Sequence, residues 1–218
     1  MIPYRVSQYQ QKYLHSMADL EDANVATINC LAFAIEARDP LTRGHSERVA
    51  TYAVRLAEAL KLDKKRIQLL RHCCRLHDVG KIGVSDTILL KPGKLTLDER
   101  GQIEMHPVFG TEILSNLSFI SKGLPIILHH HERYDGRGYP HGLKRDKIPL
   151  EVKIITIADA FDAMTSNRPY RSALSMPEVL RELKVNSGTQ FDPKIMKVFL
   201  KIVENASIKY PTKSLKAA

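Results

Sequence analysis

Apolar residues recur at helical spacing almost from one end of this sequence to the other, and that periodicity leaves little room for anything but helices. Val49, Tyr52, Ala53, Leu56 and Leu60 follow the i, i+3, i+4, i+7 pattern of one buried face, and Ile67, Leu70, Cys74 and His77 line one face of the next segment. Thr96 and Glu99 have capping-box form, which predicts a helix running to about Leu114. Further helices are predicted from Ile120 to His131, Val152 to Ala163, Pro177 to Asn186 and Pro193 to Val203. No series of alternating strands interrupts them, so the expected class is all-α.

Turn signals fall at Asp39-Pro40, Lys91-Pro92-Gly93, Asp135 to Gly142 and Asn167 to Pro169, none long enough for an interdomain linker. The expected organisation is an N-terminal helical segment over 1–38, a main domain over 39–205 and a basic tail over 206–218. In the first segment Leu14, Met17, Ile28, Leu31 and Ile35 fit a heptad seam, broken by Glu21 and Asn24. Such a helix either forms a homodimer, connects to an upstream domain, or packs on the chain's own core.

At 218 residues and 44% hydrophobic content the chain can bury a real core. It has no run of eighteen apolar residues and no signal-peptide pattern after Met1, so a cytoplasmic location without a membrane partner is expected. The formal charge of +9 by itself suits a nucleotide, nucleic acid or a membrane surface; the partner expected from the whole sequence is a nucleotide, with no nucleic acid. Part of that excess, Lys194, Lys197, Lys201, Lys209, Lys213 and Lys216, reads as a solvated face. Cys30, Cys73 and Cys74 are odd in number and lack CxxC spacing, which predicts reduced thiols, with Cys73 and Cys74 as small core residues.

The chemistry concentrates in histidines and acids. In CRLHDVGKIG, His77 and Asp78 are adjacent, and a helix end can direct both into one cleft, with Lys81 one turn on. Imidazole and carboxylate suit Mn, Fe or Zn, and one Asp can give an oxygen to each of two metals. His45 stands at a helix start, His106 precedes Pro107, and His130 and His131 sit in LHHHERYDGRGYP. Asp159 lies on a mostly apolar helix, where an acid is costly unless paired or metal-bound. Singly, the His-Asp pair reads more readily as capping or surface chemistry and each further histidine more readily as a non-ligand; together these residues supply the five or six N and O donors that a two-metal site needs. Three consecutive histidines cannot all face one point, and His129 is the one expected to be excluded. His15 and His72 read as partly exposed helix residues, and His141 as decorating the turn after Pro140.

HDVGKIG, HHERYDGRGYPHGL, IADAFDAMTSNRPYR and GTQFDP, in that order between about Ala34 and Leu200, resemble the HD-GYP family of metal-dependent phosphohydrolases. The resemblance implies an HD-domain-like helical bundle that hydrolyses cyclic di-GMP with two or three non-haem metals, commonly iron or manganese. It implies His77, Asp78, His106, His130, His131 and Asp159 as metal ligands, Asp78 bridging two metals, and His45 as a ligand at the outer position. Lys81 matches the residue on the scissile phosphate. Arg168 and Arg171 match a pair that contacts the nucleotide, and Asp162 lies in the same motif as a further substrate-side residue. Gly138, Tyr139 and Pro140 belong to a loop beside the cleft that also serves contacts with GGDEF-type synthases of cyclic di-GMP. Gly136 and Gly138 are expected to adopt backbone angles closed to other residues, and Pro140 to fix one. Whether Tyr139 touches substrate or holds the loop is open.

One position departs from the pattern. Some members carry a glutamate one turn before the first histidine, completing a third metal site, where this chain has Leu41. Leucine cannot ligate, so two metals and the linear product pGpG are expected. Receptor or synthase-binding roles without catalysis, hydrolysis of cyclic GMP-AMP, and action on a linear nucleotide are the alternatives.

Overall fold

A computed structural model describes residues 2–39, 43–167 and 172–205. Among these residues the chain forms ten α-helices and no β-strand: α1 (Ile2–Arg38), α2 (His45–Ala59), α3 (Lys64–Leu76), α4 (Asp86–Leu89), α5 (Leu97–Glu104), α6 (His106–Leu114), α7 (Leu124–His129), α8 (Leu150–Thr165), α9 (Met176–Val185) and α10 (Pro193–Asn205). Leu41, Arg168, Arg171 and the tail 206–218 lie outside the described residues.

The bundle is organised around α8. Val152, Ile154, Ile155, Ile157, Ala158 and Phe161 are all fully buried, as expected of a helix apolar on nearly every side. Phe161 meets Tyr52 of α2 edge-on at 4.9 Å and Phe199 of α10 at 5.2 Å. The predicted stripes are the buried ones: Val49, Tyr52, Ala53 and Leu56 on α2, and Leu70 and Cys74 on α3. Cys73 and Cys74 are both buried free thiols.

Two predicted helices are interrupted, each at a proline that lacks an N–H. The helix expected from Thr96 to Leu114 is split at Met105 into α5, closed at its start by the Thr96–Glu99 capping box, and α6, with Pro107 in its first turn. The helix expected from Ile120 to His131 is a 3-10 turn, Ser118–Gly123, followed by α7 with Pro125 in its first turn. Both breaks matter for the site: the first leaves His106 at a helix start, and the second leaves His130 and His131 just beyond a helix end.

The heptad seam of α1 divides. Ile28 and Ile35 are in the main core, whereas Leu14 and Met17 are exposed. At the end of α1, Arg38 reaches the 3-10 turn Val79–Gly83, donating to the carbonyls of Lys81 and Ile82 at 2.8 Å and also to that of Val84.

Candidate metal centre

His77 and Asp78 follow the last turn of α3, where helical geometry gives way to the 3-10 turn. That turn packs backbone to backbone on the start of α6. A Cβ on Gly80 would lie 1.8 Å from the His106 carbonyl oxygen and 2.4 Å from the Gly110 nitrogen, so only glycine lets Asp78 and His106 approach. His130 and His131 come in from α7, and the Thr156 hydroxyl of α8 donates to the His130 carbonyl at 2.8 Å.

Three imidazoles are held alike. Nδ1 of His77, His106 and His130 lies 2.8, 2.7 and 2.6 Å from the carbonyl oxygens of Cys74, Ile103 and Ile127, respectively. A carbonyl only accepts, so each Nδ1 carries its hydrogen, and a neutral ring then has its lone pair on Nε2. Those Nε2 atoms turn inward: His106 and His130 bring theirs to 3.2 Å. Asp78 faces them with one oxygen each way, Oδ1 at 3.4 Å from His106 Nε2 and Oδ2 at 3.6 Å from His77 Nε2.

The donors fall into two groups that share one carboxylate. Asp78, His106, His130 and His131 form one, and His45, His77 and Asp78 the other, with the ligand atoms of each group within 4.8 Å of one another. Facing lone pairs, a shared acid and carbonyl-fixed tautomers match the chemistry of a divalent-cation site with its outer hydrogen-bond shell in place.

Burial, then the charges of neighbouring rings, pushes His130 well below its ordinary range; burial does most to lower His131 to about 4, with Asp159 opposing, and His106 is also lowered. These three are therefore neutral near pH 7. Asp78 goes the other way: burial would raise it, but Lys81, then His77 and His106, hold it well below the carboxylate range. Lys81 Nζ lies 2.7 Å from Asp78 and 3.5 Å from Asp39.

Asp159 and Asp162 stand one turn apart on α8 and meet His45 and Arg48, one turn apart on α2. His45 Nδ1 is 2.8 Å from Asp162 and its Nε2 is 3.3 Å from Asp159. Burial would lower His45, but hydrogen bonds to both acids override it and raise the ring to about 10. Asp159 thus sits against His45 and not inside either compact donor group. Asp162 is buried with Arg48 forked across its two oxygens at 2.7 and 3.0 Å.

His129, as expected, points away from the cluster; His72 is half-buried and His15 exposed. Gly136 has the expected positive φ of +80°, but Gly138 does not; a Cβ there would meet the backbone of His131, Glu132 and Arg133 at 2.5 Å, so it provides space and not an unusual angle. The Tyr139 ring lies 4.8 Å from that of His131. Sequence reasoning missed Arg48, Arg38 and Glu132; for Arg48 the available signal was its i, i+3 spacing from His45.

Two cavities meet at the site. One of about 720 Å³ reaches out to Glu182, Asn186 and Gln190, and one of about 320 Å³ contains Asp39, Arg48 and Lys81; His131, Tyr139 and Asp159 line both.

The HD domain profile matches residues 29–195. The chain is 42% identical over 92% of its length to the cyclic di-GMP phosphodiesterase response regulator RpfG of Xanthomonas campestris, covering 53% of that protein. It is 40% identical to a cyclic di-GMP phosphodiesterase of Thermotoga maritima (84% of this chain, 50% of that one) and to 3'3'-cGAMP-specific phosphodiesterase 3 of Vibrio cholerae (78% and 38%). It spans about half the length of the first two relatives and less of the third. In fold it is similar to the crystal structure of the cyclic GMP-AMP phosphodiesterase V-cGAP3 of V. cholerae, with a TM-score of 0.63 at 21% identity, over 82% of this chain and 48% of the other. With the HD domain matched over most of its sequence and the HDVGKIG and HHERYDGRGYP blocks in place, the chain belongs to the HD domain family, in its HD-GYP branch.

Proposed function

We propose that the chain is a metal-dependent phosphodiesterase that opens cyclic di-GMP to linear pGpG. The observation that carries this reading is the pair of donor groups joined at Asp78, with neutral imidazoles presenting Nε2 lone pairs to one another in a buried cleft. In this reading His77, Asp78, His106, His130 and His131 hold two divalent ions, iron or manganese, with His45 and Asp159 completing the outer side. When bound, the ions supply Lewis-acid charge and a water acidic enough to attack a phosphodiester near neutral pH.

The chain's own groups do the rest. Lys81 places an ammonium at the cleft beside Asp78, where it offsets charge developing on a phosphoryl oxygen. His131, Tyr139 and Asp159 line both cavities and so mark the wall they share. A cyclic dinucleotide has a nucleoside on each side of either phosphodiester, so the scissile phosphate belongs at that wall. Asp162 is assigned a positioning role: its oxygens are occupied by Arg48 and His45, so it orients His45 from behind the cleft. Arg168 and Arg171 are proposed to contact the nucleotide, and Leu41 to restrict the site to two ions. The main domain is taken as 39–205 with a cytoplasmic location. The exposed part of α1 is assigned to self-association or an upstream segment, and the GYP loop to a synthase partner.

Hydrolysis of cyclic GMP-AMP is the second reading, favoured by the V. cholerae relative named for it. Parallel turnover of cyclic di-GMP, 3'3'-cGAMP and linear pGpG by the metal-loaded protein, with products separated by chromatography, tests both. Fastest loss of cyclic di-GMP with pGpG accumulating supports the first; preference for cGAMP selects the second, and preference for pGpG contradicts both.

A further inference from the structure

We propose that His129, Glu132 and His141 form a second cation site, separate from the buried cluster, that pins the GYP loop to the end of α7. Their ligand atoms lie within 4.8 Å of one another, and nothing in the proposed hydrolysis uses them.

Each donor is prepared for the task. His129 Nδ1 lies 2.8 Å from the Pro125 carbonyl oxygen and therefore bears the hydrogen, leaving Nε2 with its lone pair. That outward-facing Nε2 is 3.0 Å from Nδ1 of His141. Without a cation the contact is an N–H···N bond. With one, His141 need only carry its hydrogen on Nε2 instead, a tautomer change that an exposed ring makes at little cost. Glu132 is buried, and each of its oxygens accepts a single backbone N–H, from His141 and from Leu143, both at 2.9 Å. A carboxylate oxygen has a further acceptor position, so Glu132 can bind a cation without releasing the loop.

Two imidazoles and one carboxylate suit a borderline divalent ion, Zn²⁺ or Co²⁺, in four-coordinate geometry with water in the remaining position. Bonds of about 2.0–2.1 Å at a tetrahedral angle separate the two nitrogens by about 3.3 Å. The observed 3.0 Å needs only a small outward shift of His141, which lies on the exposed turn.

The consequence is mechanical. His129 and Glu132 flank one end of the loop and His141 the other, and between them the loop carries Tyr139 against His131. A bound ion would cross-link the loop's two ends beside the buried cluster.

The test uses the full chain loaded with Mn²⁺, desalted, and titrated with Zn²⁺ or Co²⁺. The wild type is expected to take up one more zinc than His141→Ala, with a Kd below about 1 µM. Co²⁺ should give a tetrahedral visible absorption band that His141→Ala and His129→Ala both lose at unchanged manganese content. Because His141 is exposed, His141→Ala keeps the fold and isolates the site. Equal zinc uptake by wild type and His141→Ala, uptake by neither, or a difference seen only at millimolar zinc, an adventitious ion only, would overturn the proposal.

Discussion

His106 and His130 bring their Nε2 atoms to 3.2 Å of each other while each Nδ1 is held by a backbone carbonyl. Two lone pairs so placed repel unless a cation or a proton lies between them, and burial disfavours the proton. The pair is the clearest physical sign of a metal centre among the described residues.

Asp78 is the carboxylate common to both donor groups, so Asp78→Ala should empty both. Metal analysis is expected to show loss of bound ions together with a fall in turnover of at least about a thousandfold, several kcal/mol of lost transition-state stabilisation. Normal hydrolysis by the variant would exclude the metal assignment.

Lys81 makes its ion pairs with Asp78 and Asp39, outside the ring of imidazole donors. Lys81→Ala is expected to retain its metals and to lose about a hundredfold in kcat, the usual cost of removing one group that stabilises developing charge. A loss of metal equal to that of Asp78→Ala would make Lys81 a structural residue instead.

Much of this centre was legible in the sequence, and the reasons differ by residue. His77, Asp78, His106, His130 and His131 announced themselves as donors beside turn signals, and helix breaks at Pro107 and Pro125 let them converge. The expected helices nevertheless ran through both prolines, because periodicity continues across each and only the lost N–H ends the helix. Arg48 was missed because its i, i+3 spacing from His45 gains meaning only beside Asp162, which lies 114 residues away. Gly138 was marked for the wrong reason: a close approach of backbone strands looks the same in sequence as a positive φ. Glu132 was passed over as part of a motif, although it holds the GYP loop through two amide hydrogens.

The buried rings also set the acid response of the metal-free protein. His131 is lowered from 6.5 to about 4, and His106 and His130 are lowered too, so the unfolded chain binds more protons at acid pH. The contribution of His131 to stability is complete above about 6.5 and is lost as pH falls toward 4, and His106 and His130 act in the same direction. His45, raised from 6.5 to about 10, works in the opposite sense: its contribution is complete below about 6.5 and is lost as pH rises from there to about 10. The Tm of metal-free protein should therefore drop as pH falls from 6.5 to 4, and also decline as pH rises from about 6.5 to 10. Replacing His131 with Asn should flatten the acid limb.

Gly80 sets the approach of the turn to α6. In Gly80→Ala the new methyl would meet backbone atoms that cannot rotate away, at 1.8 and 2.4 Å. The expected cost is about 3 kcal/mol, or a Tm lower by roughly 10 °C in a domain of this size. Metal affinity should fall even where the variant is folded, because Asp78 and His106 are held on opposite sides of that contact. Calorimetry and metal analysis on the same sample would separate the two effects.

The most direct test of the central claim is anaerobic purification with metal analysis, followed by incubation with cyclic di-GMP and added Mn²⁺ or Fe²⁺ and identification of the product. About two ions per chain, removed by chelation together with activity, and conversion to pGpG are the predicted results. Full metal occupancy without turnover would contradict the enzyme reading, and three tightly bound ions per chain would contradict the consequence drawn from Leu41.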